Sequence, residues 1–279
     1  MPKFFDRIGV DINQKLALEA AVEWALRHEV PYIDLCLDQT PELLERGSRR
    51  LAAARKKLEG AGIRLGLHTL SAVNIAETSP FVGAATDAYL ASYLDAAKHL
   101  GAGWIVVHGG YHFGSDKRAR MDAAVARIAL AARAAEKKKL KLLLENLNPE
   151  PEQAEVRYLC NDLEECRYYF ERLDSPALGW SFTVNHAHIR PNRIDEFMAS
   201  LDLKRLGEVR LADCRGTHEE HLRPGEGTID FPAVFAAIEA SGDRGQYLPA
   251  FGCLDAMLKG RETLAALAEK GSATGAARK

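Results

Sequence analysis

Long apolar runs are missing from this 279-residue sequence. No stretch approaches the ~18 consecutive apolar residues that a membrane-spanning helix needs. The first residues, which include Asp6 and Arg7, also lack the apolar segment of a secretory signal. We therefore expect a cytoplasmic protein that is not embedded in a membrane. The 47% hydrophobic content is still sufficient for the core of one large domain or two small ones.

Cysteine, net charge and nucleotide-binding motifs are also sparse. The five cysteines form no CxxC pair, and their odd number without a secretory signal indicates reduced thiols. The net charge is −2 with both signs spread along the chain, so the basic surface typical of nucleic-acid binding is absent. No GxGxxG motif follows the first predicted strand, which argues against dinucleotide binding. These absences leave a small molecule as the expected partner.

Short apolar runs alternate with long helical patterns along nearly the whole chain. Eight of these runs are candidate strands: RIGVDI, YIDLCL, IRLGLH, WIVVHGG, LKLLLEN, ALGWSF, EVRLAD and QYLPAF. Strands that alternate with helices at this spacing predict parallel βαβ units. They fit a (β/α)8 TIM barrel best, and a doubly wound open sheet is the alternative. We predict one barrel domain over residues 1–270 and a disordered tail over residues 271–279, where the chain is small and polar.

Polar side chains recur where the predicted strands end, and in TIM barrels this end carries the active site. The candidates are His68, His108, Glu145, Thr183, Asn185, His186, Arg210 and Asp213. Alternation along the strands places Asp34, Glu145 and Thr183 on the face that points to the barrel centre. A single histidine at a strand end more often satisfies a loop amide, and Asp213 is equally consistent with a turn. Glu145 is the strongest candidate, because an unpaired buried carboxylate is costly.

Three stretches, LLLEN, NHAH and HLRPGEGTIDF, resemble the xylose isomerase-like barrel superfamily. Its members include sugar-phosphate isomerases and epimerases, inosose dehydratases, hydroxypyruvate isomerases and apurinic-site endonucleases. The resemblance extends from GVDIN to about Glu269 and implies a TIM barrel. It also implies a divalent metal bound by Glu, Asp, His and Glu at the ends of strands five to eight. Further histidines that the endonucleases use for additional metals match His68, His108, His186 and His221.

This sequence departs from the implied ligand set at three of four positions. Glu145 matches the first ligand, but Thr183 and Arg210 stand where the Asp and the His are expected. The eighth strand offers only Ala250 or Phe251 in place of the Glu. Threonine is a poor ligand for a hard cation, and a guanidinium has no lone pair to offer. We therefore expect a degenerate metal site and no cofactor, with a divalent metal at Glu145 as the second choice.

The resemblance and the polar strand ends together favour an isomerase, an epimerase or a related lyase. Such an enzyme abstracts a proton beside the carbonyl of a small, sugar-like, hydroxylated substrate, here without the family's metal. In this interpretation Glu145 is the base, His186 relays a proton, and Arg210 supplies positive charge to the developing oxyanion. An equal alternative for Arg210 is a structural pair with Asp213 or Glu145 that only holds the site together. The predicted substrate-binding residues are His68, His108, Thr183, Asn185, Asp213 and His221. The alternative is a non-catalytic small-molecule-binding barrel that has lost the metal site. The resemblance also makes a homodimer an option.

Overall fold

The computed structural model describes residues 4–189, 193–242 and 246–276. Its central sheet consists of eight parallel strands: β1 (Val10–Asn13), β2 (Tyr32–Leu35), β3 (Arg64–His68), β4 (Trp104–Val107), β6 (Lys141–Glu145), β8 (Leu178–Thr183), β9 (Leu206–Leu211) and β10 (Tyr247–Pro249). They are hydrogen-bonded in that order, and Ile8, just before β1, bridges Tyr247 of β10 to close the sheet. The TIM barrel predicted from the sequence is confirmed, and the open-sheet alternative is wrong.

Helices connect the strands around the outside of the barrel. Those of the described residues are α1 (Leu18–His28), α2 (Glu42–Arg46), α3 (Ser48–Gly60), α4 (Pro80–Leu100), α5 (Lys117–Lys138), α6 (Leu163–Arg172), α7 (Val184–His188), α8 (Arg193–Ser200), α9 (Phe231–Ala240) and α10 (Leu254–Ala276). The last helix extends into the segment predicted as a tail, and residues 277–279 of that segment lie outside the described residues. Within the described ranges, no helix combines the length and the apolar character needed to cross a membrane.

Strand alternation determines what fills the barrel. The inner face carries an apolar cluster made of Tyr32, Trp104, Val106, Leu143 and Leu248. Side chains on a strand alternate between its two faces, so the next inner positions lie two residues further along each strand. Beyond the cluster, those positions hold polar groups on three of its four strands: Asp34, His108 and Glu145. The barrel therefore has an apolar floor and a polar layer above it, nearer the C-terminal ends of the strands.

A small second sheet joins two loops at the C-terminal end of the barrel. Strands β5 (Tyr111–His112) and β7 (Arg157–Tyr158) pair antiparallel, and we call this two-stranded sheet the flap. Gly110 before β5 has a φ of +85°, and a Cβ there would lie 2.6 Å from the nearest atoms of Ala76, so glycine is required. The loop after β6 thus contains one strand of the flap.

Candidate active site

A cavity of about 410 Å³ opens at the C-terminal mouth of the barrel. This size lies in the range of about 300–1,000 Å³ that is usual for small-molecule pockets. Seven of the nine site residues predicted from the sequence line it: His68, His108, Glu145, Thr183, His186, Arg210 and His221. The cavity is also lined by residues that the prediction did not include, and Asp11, Lys15, Tyr158 and Glu219 are among them.

Two imidazoles and a carboxylate converge at the base of the cavity, and we call His68, His108 and Glu145 the inner triad. The two Nε2 atoms lie 3.1 Å apart, and they lie 3.4 Å and 3.3 Å from Oε2 of Glu145. Ligand atoms about 2.0–2.1 Å from a tetrahedral zinc ion would be about 3.3–3.4 Å from one another. The spacing of the inner triad therefore fits three ligands of one divalent cation.

The other nitrogen of each imidazole has a partner that orients the ring. Nδ1 of His68 lies 3.1 Å from the carboxylate of Asp34, and Nδ1 of His108 lies 3.4 Å from Oγ1 of Thr69. The Thr69 hydroxyl donates to the carbonyl of Val106, so its oxygen is left to accept from His108. With both Nδ1 atoms protonated, both Nε2 lone pairs face the Glu145 carboxylate. Partners of this kind orient histidine ligands in metal sites.

Three acceptors in such close proximity need a positive charge between them. Although burial and Arg210 oppose protonation, the hydrogen bonds with Asp34 and Glu145 raise the pKa of His68 to about 9. Burial favours the neutral form of Glu145, but hydrogen bonds with the two histidines and the charge of Arg210 hold its pKa well below the ordinary value. A proton on His68 balances the carboxylate, and a divalent cation in the same position would replace that proton.

A second group at the cavity mouth has a similar arrangement, and we call His186, Glu219 and His221 the outer triad. The Nε2 atoms of the two histidines lie 3.2 Å and 3.0 Å from Oε1 of Glu219. Each Nδ1 atom faces a backbone carbonyl, that of Asn146 at 2.9 Å or that of Ala250 at 2.7 Å. The histidines hold the pKa of Glu219 below its ordinary value, and Glu219 raises the pKa of His221 against the effect of burial.

The two triads have different environments. All three members of the inner triad are buried, whereas the side chains of Glu219 and His221 are 38% and 44% exposed. Each set has the ligand types and spacing for a cation. The expectation of a degenerate metal site and no cofactor rested on Thr183, Arg210 and the missing glutamate of the eighth strand, and it is not supported. The reason is that the inner triad combines Glu145 with histidines from β3 and the end of β4, so it does not need the positions that Thr183 and Arg210 occupy.

Arg210 lies at the centre of a buried ionic network. Its terminal nitrogens donate to Asp11 at 2.9 Å, to Asp34 at 2.9 Å and to Glu208 at 3.2 Å. Its Nε atom lies 3.7 Å from Oε1 of Glu145, and that oxygen also accepts the hydroxyl of Thr183. Four acidic side chains therefore surround one guanidinium, and its charge is balanced by the protein itself.

Glu208 holds a proton more tightly than an ordinary glutamate. Its side chain is fully buried, and its oxygens accept from Trp104 at 2.8 Å and from Ser181 at 3.1 Å. Burial, followed by the charge of Asp34, raises the pKa of Glu208 to about 8 against the effect of Arg210. In the unfolded chain the same group titrates near pH ~4.3. The folded state thus binds more protons than the unfolded state between these two values.

We predict that the Glu208 carboxyl makes the free energy of unfolding fall as the pH rises from about 4.5 to 8. Below this window both states are protonated, and above it both are ionised, so the effect levels off at each end. Glutamine in the Glu208→Gln variant cannot ionise. The free energy of unfolding of the variant, compared with that of the parent, should therefore rise as the pH increases from about 4.5 to 8. Urea unfolding at pH 5, 6.5 and 8 measures the difference, with the exposed Glu171→Gln as the control. A difference that is constant with pH would contradict the prediction.

Two residues predicted to bind substrate do not line the cavity. The Asn185 side chain donates to the carbonyl of Glu220. The Asp213 carboxylate accepts four backbone N–H groups, those of Cys214, Gly225, Gly227 and Ile229, at 2.8–3.1 Å. A Cβ at Gly227 would lie 2.3 Å from Asp213 Oδ1, which accounts for a glycine in the PGEGTIDF stretch. Asp213 organises this loop and neither orients Arg210 nor reaches the cavity, because both of its oxygens are occupied.

Three acidic residues of the site were missed in the sequence. Asp11 lies on β1, and Glu208 shares parity with Arg210, but neither lies at a predicted strand end. Glu219 lies in a loop, where strand alternation does not apply. The HEEH stretch at residues 218–221 carried a signal, since residues two apart in an extended segment face the same side. The same rule applied to every strand position would also have found Asp11 and Glu208.

Comparisons with known proteins agree with this fold. The family described as the xylose isomerase-like TIM barrel matches residues 22–247, so the chain belongs to that family. A D-tagatose 3-epimerase-like protein has a similar structure, with a TM-score of 0.82, 21% identity and coverage of 96% of this chain and 99% of that one. The D-psicose 3-epimerase from Clostridium cellulolyticum H10, solved with D-tagatose, has a TM-score of 0.72 and 16% identity, with coverage of 96% of this chain and 98% of that one. The IOLI protein with a bound zinc atom has a TM-score of 0.74 and 17% identity, with coverage of 98% of each chain. A search of curated proteins gave no match.

Proposed function

We propose that this protein is a metal-dependent sugar epimerase or isomerase that moves a proton beside the carbonyl of a small polyhydroxylated substrate. The observation that carries the proposal is the convergence of three ligand atoms of the inner triad, 3.1–3.4 Å apart, at the base of the cavity. The similar structures include a D-tagatose 3-epimerase-like protein, a D-psicose 3-epimerase and an L-ribulose 3-epimerase, which favours a ketose as substrate. These neighbours are under 25% identical, so the substrate is part of the proposal.

The residues of the inner triad would hold the cation. When bound there, a divalent ion polarises a substrate carbonyl and stabilises the negative charge that develops on its oxygen. The protein fixes the ligands through Asp34 and Thr69, and the Thr183 hydroxyl holds the remaining oxygen of Glu145. In this assignment Glu145 is a ligand, which differs from the role of base that the sequence suggested.

The outer triad would carry the proton. Its two Nδ1–H groups are held by backbone carbonyls, so the two Nε2 atoms and Glu219 Oε1 share the remaining proton-binding capacity. Glu219 lines the cavity and is partly exposed, so a substrate can reach it. We assign Glu219 as the base and His221 and His186 as the groups that store and return the proton. A carboxylate beside histidines is suited to general acid–base catalysis.

Deuterium exchange is the direct test of this function. Protein stripped with a chelator and reloaded separately with Mn²⁺, Zn²⁺, Co²⁺ or Mg²⁺ is incubated with ketohexoses and ketopentoses in D₂O. We expect at least one metal to support loss of the proton NMR signal beside the carbonyl, and the stripped protein to be inactive. Glu219→Gln should abolish exchange while leaving metal bound to the inner triad. Exchange that proceeds equally well in the stripped protein would contradict the metal dependence.

A second candidate function is a barrel that binds sugars without catalysis. Arg210 favours it, because this residue links four acidic side chains where the resemblance expects a metal-binding histidine. The same experiment separates the two functions. A ketose that binds to the metal-loaded protein, as measured by calorimetry, without any exchange of its protons would support the binding barrel.

A further inference from the structure

Two side chains with a permanent positive charge line the cavity in the described part of the chain, and they differ in their partners. The charge of Arg210 is balanced by the carboxylates around it. Lys15 also lines the cavity, is exposed, and makes no ion pair with any described residue. A negatively charged part of a substrate would therefore find an available cation at Lys15 and not at Arg210.

The backbone holds Lys15 over the cavity. Its N–H donates to the carbonyl of Ile12 at 2.8 Å, which closes a turn directly after β1, and Asn13 within that turn has a φ of +45°. The Nζ atom lies 3.5 Å from the carbonyl oxygen of Asp11, so the side chain folds back towards the end of β1. The Lys15 side chain therefore lies along the cavity wall and does not extend away from it into solvent.

The position of Lys15 in the barrel is opposite to the inner triad's carboxylate. In the closed order of eight strands, β6 is the fourth strand from β1 in either direction, and Glu145 is the last residue of β6. A substrate whose carbonyl lies beside the inner triad would thus extend its other end towards Lys15. The cavity wall also contains the hydroxyl groups of Ser71 and Tyr158, which lie 3.5 Å apart and suit a polyhydroxylated chain.

We infer that Lys15 selects substrates that carry an oxyanion, a phosphate or a carboxylate, at the end remote from the reacting carbonyl. This inference rests on the proposed function for the position of that carbonyl. An ammonium group has three donors and a compact charge, which suits an oxyanion in a partly exposed site. Neutral ketoses would bind through their hydroxyl groups alone.

Three ketohexose compounds with the same carbon skeleton test the inference: D-fructose, D-fructose 6-phosphate and D-fructuronate. The variants are Lys15→Met, the charge-retaining Lys15→Arg, and Lys56→Met as an exposed control outside the cavity. With metal-loaded protein, we expect Lys15→Met to lower the kcat/KM ratio of the charged to the neutral compound about 10- to 100-fold, the effect of one charged hydrogen bond. Lys15→Arg should retain most of the ratio, and Lys56→Met all of it.

Binding is measured separately by calorimetry with Glu219→Gln, which cannot turn the ligands over under the proposed function. A 10- to 100-fold loss of affinity for fructose 6-phosphate or fructuronate on adding Lys15→Met supports the inference. This holds even when no compound exchanges its proton with the parent protein. The absence of exchange would contradict only the proposed function. The ligand that shows the loss identifies a phosphate or a carboxylate as the group recognised. If affinity for both charged compounds is unchanged by Lys15→Met, the inference is overturned.

Discussion

Arg210→Met is expected to lower the free energy of unfolding by about 3–5 kcal/mol, the usual cost of removing one partner from a buried ion pair. The reason is that the buried carboxylates of Asp11, Asp34 and Glu145 would lose their common cation. Methionine approximates the length of the side chain but supplies neither charge nor donors. Urea unfolding at neutral pH, with the same slope for parent and variant, measures the loss.

The control for this change is Arg118→Met. Arg118 pairs with Asp122 on the surface of α5, with side chains that are 69% and 55% exposed, so its replacement should cost under ~1 kcal/mol. Adding Asp34→Asn to Arg210→Met should restore part of the lost stability, because it removes one of the uncompensated charges. If Arg210→Met is as stable as Arg118→Met, the network does not hold the barrel together, and a role of Arg210 towards substrate becomes the better explanation.

Glu145→Gln is expected to reduce proton exchange by about 10²- to 10⁴-fold and to remove the cation from the inner triad. Glutamine keeps the shape of the side chain and can still accept the Thr183 hydroxyl, but it lacks the negative charge that balances a metal ion. The variant is measured twice, for bound metal by elemental analysis after dialysis and for exchange by NMR in D₂O. The size of the loss corresponds to the several kcal/mol of transition-state charge stabilisation that a bound metal would supply and the metal-free site lacks.

Two comparisons make this result specific. The exposed Glu262→Gln on α10 should change neither quantity. Glu219→Gln should lose exchange but retain the inner metal, because Glu219 belongs to the outer triad. Full exchange in metal-free Glu145→Gln would rule out the inner triad as the reacting centre.

The fold could be predicted from the sequence because each strand is an apolar run between helical patterns. Strands such as β4 and β6 are buried throughout, or nearly so, and their neighbours in the chain are also their neighbours in the barrel. The helix α7 was not predicted, since a five-residue segment with two histidines and an asparagine has no apolar period. The flap was not predicted either, because its two-residue strands lie in separate loops and are defined only by their mutual pairing.

The sequence predicted where the site residues lie more successfully than which groups they contact. Strand ends indicated Glu145, Arg210 and the cavity histidines, and these residues do line one cavity. The network around Arg210 is different, because its partners Asp11 and Asp34 are 199 and 176 residues away in sequence. Strand alternation can place such groups inside the barrel, but no local pattern shows which of them pair. The same limitation left two roles for Arg210 in the sequence, towards a substrate or in a structural pair with a carboxylate.

The flap has a consequence for exchanging loops between related barrels. Tyr111 pairs with Tyr158, and the Leu159 N–H donates to the carbonyl of Gly110 at 2.8 Å, so the loop after β4 and the loop after β6 share one hydrogen-bonded unit. A graft that replaces only one of them leaves unpaired backbone groups beside the cavity. The two loops are therefore a single module for protein engineering. A chimera that takes both loops from one parent should retain the cavity wall that holds Tyr158. A chimera that takes the two loops from different parents should lose it.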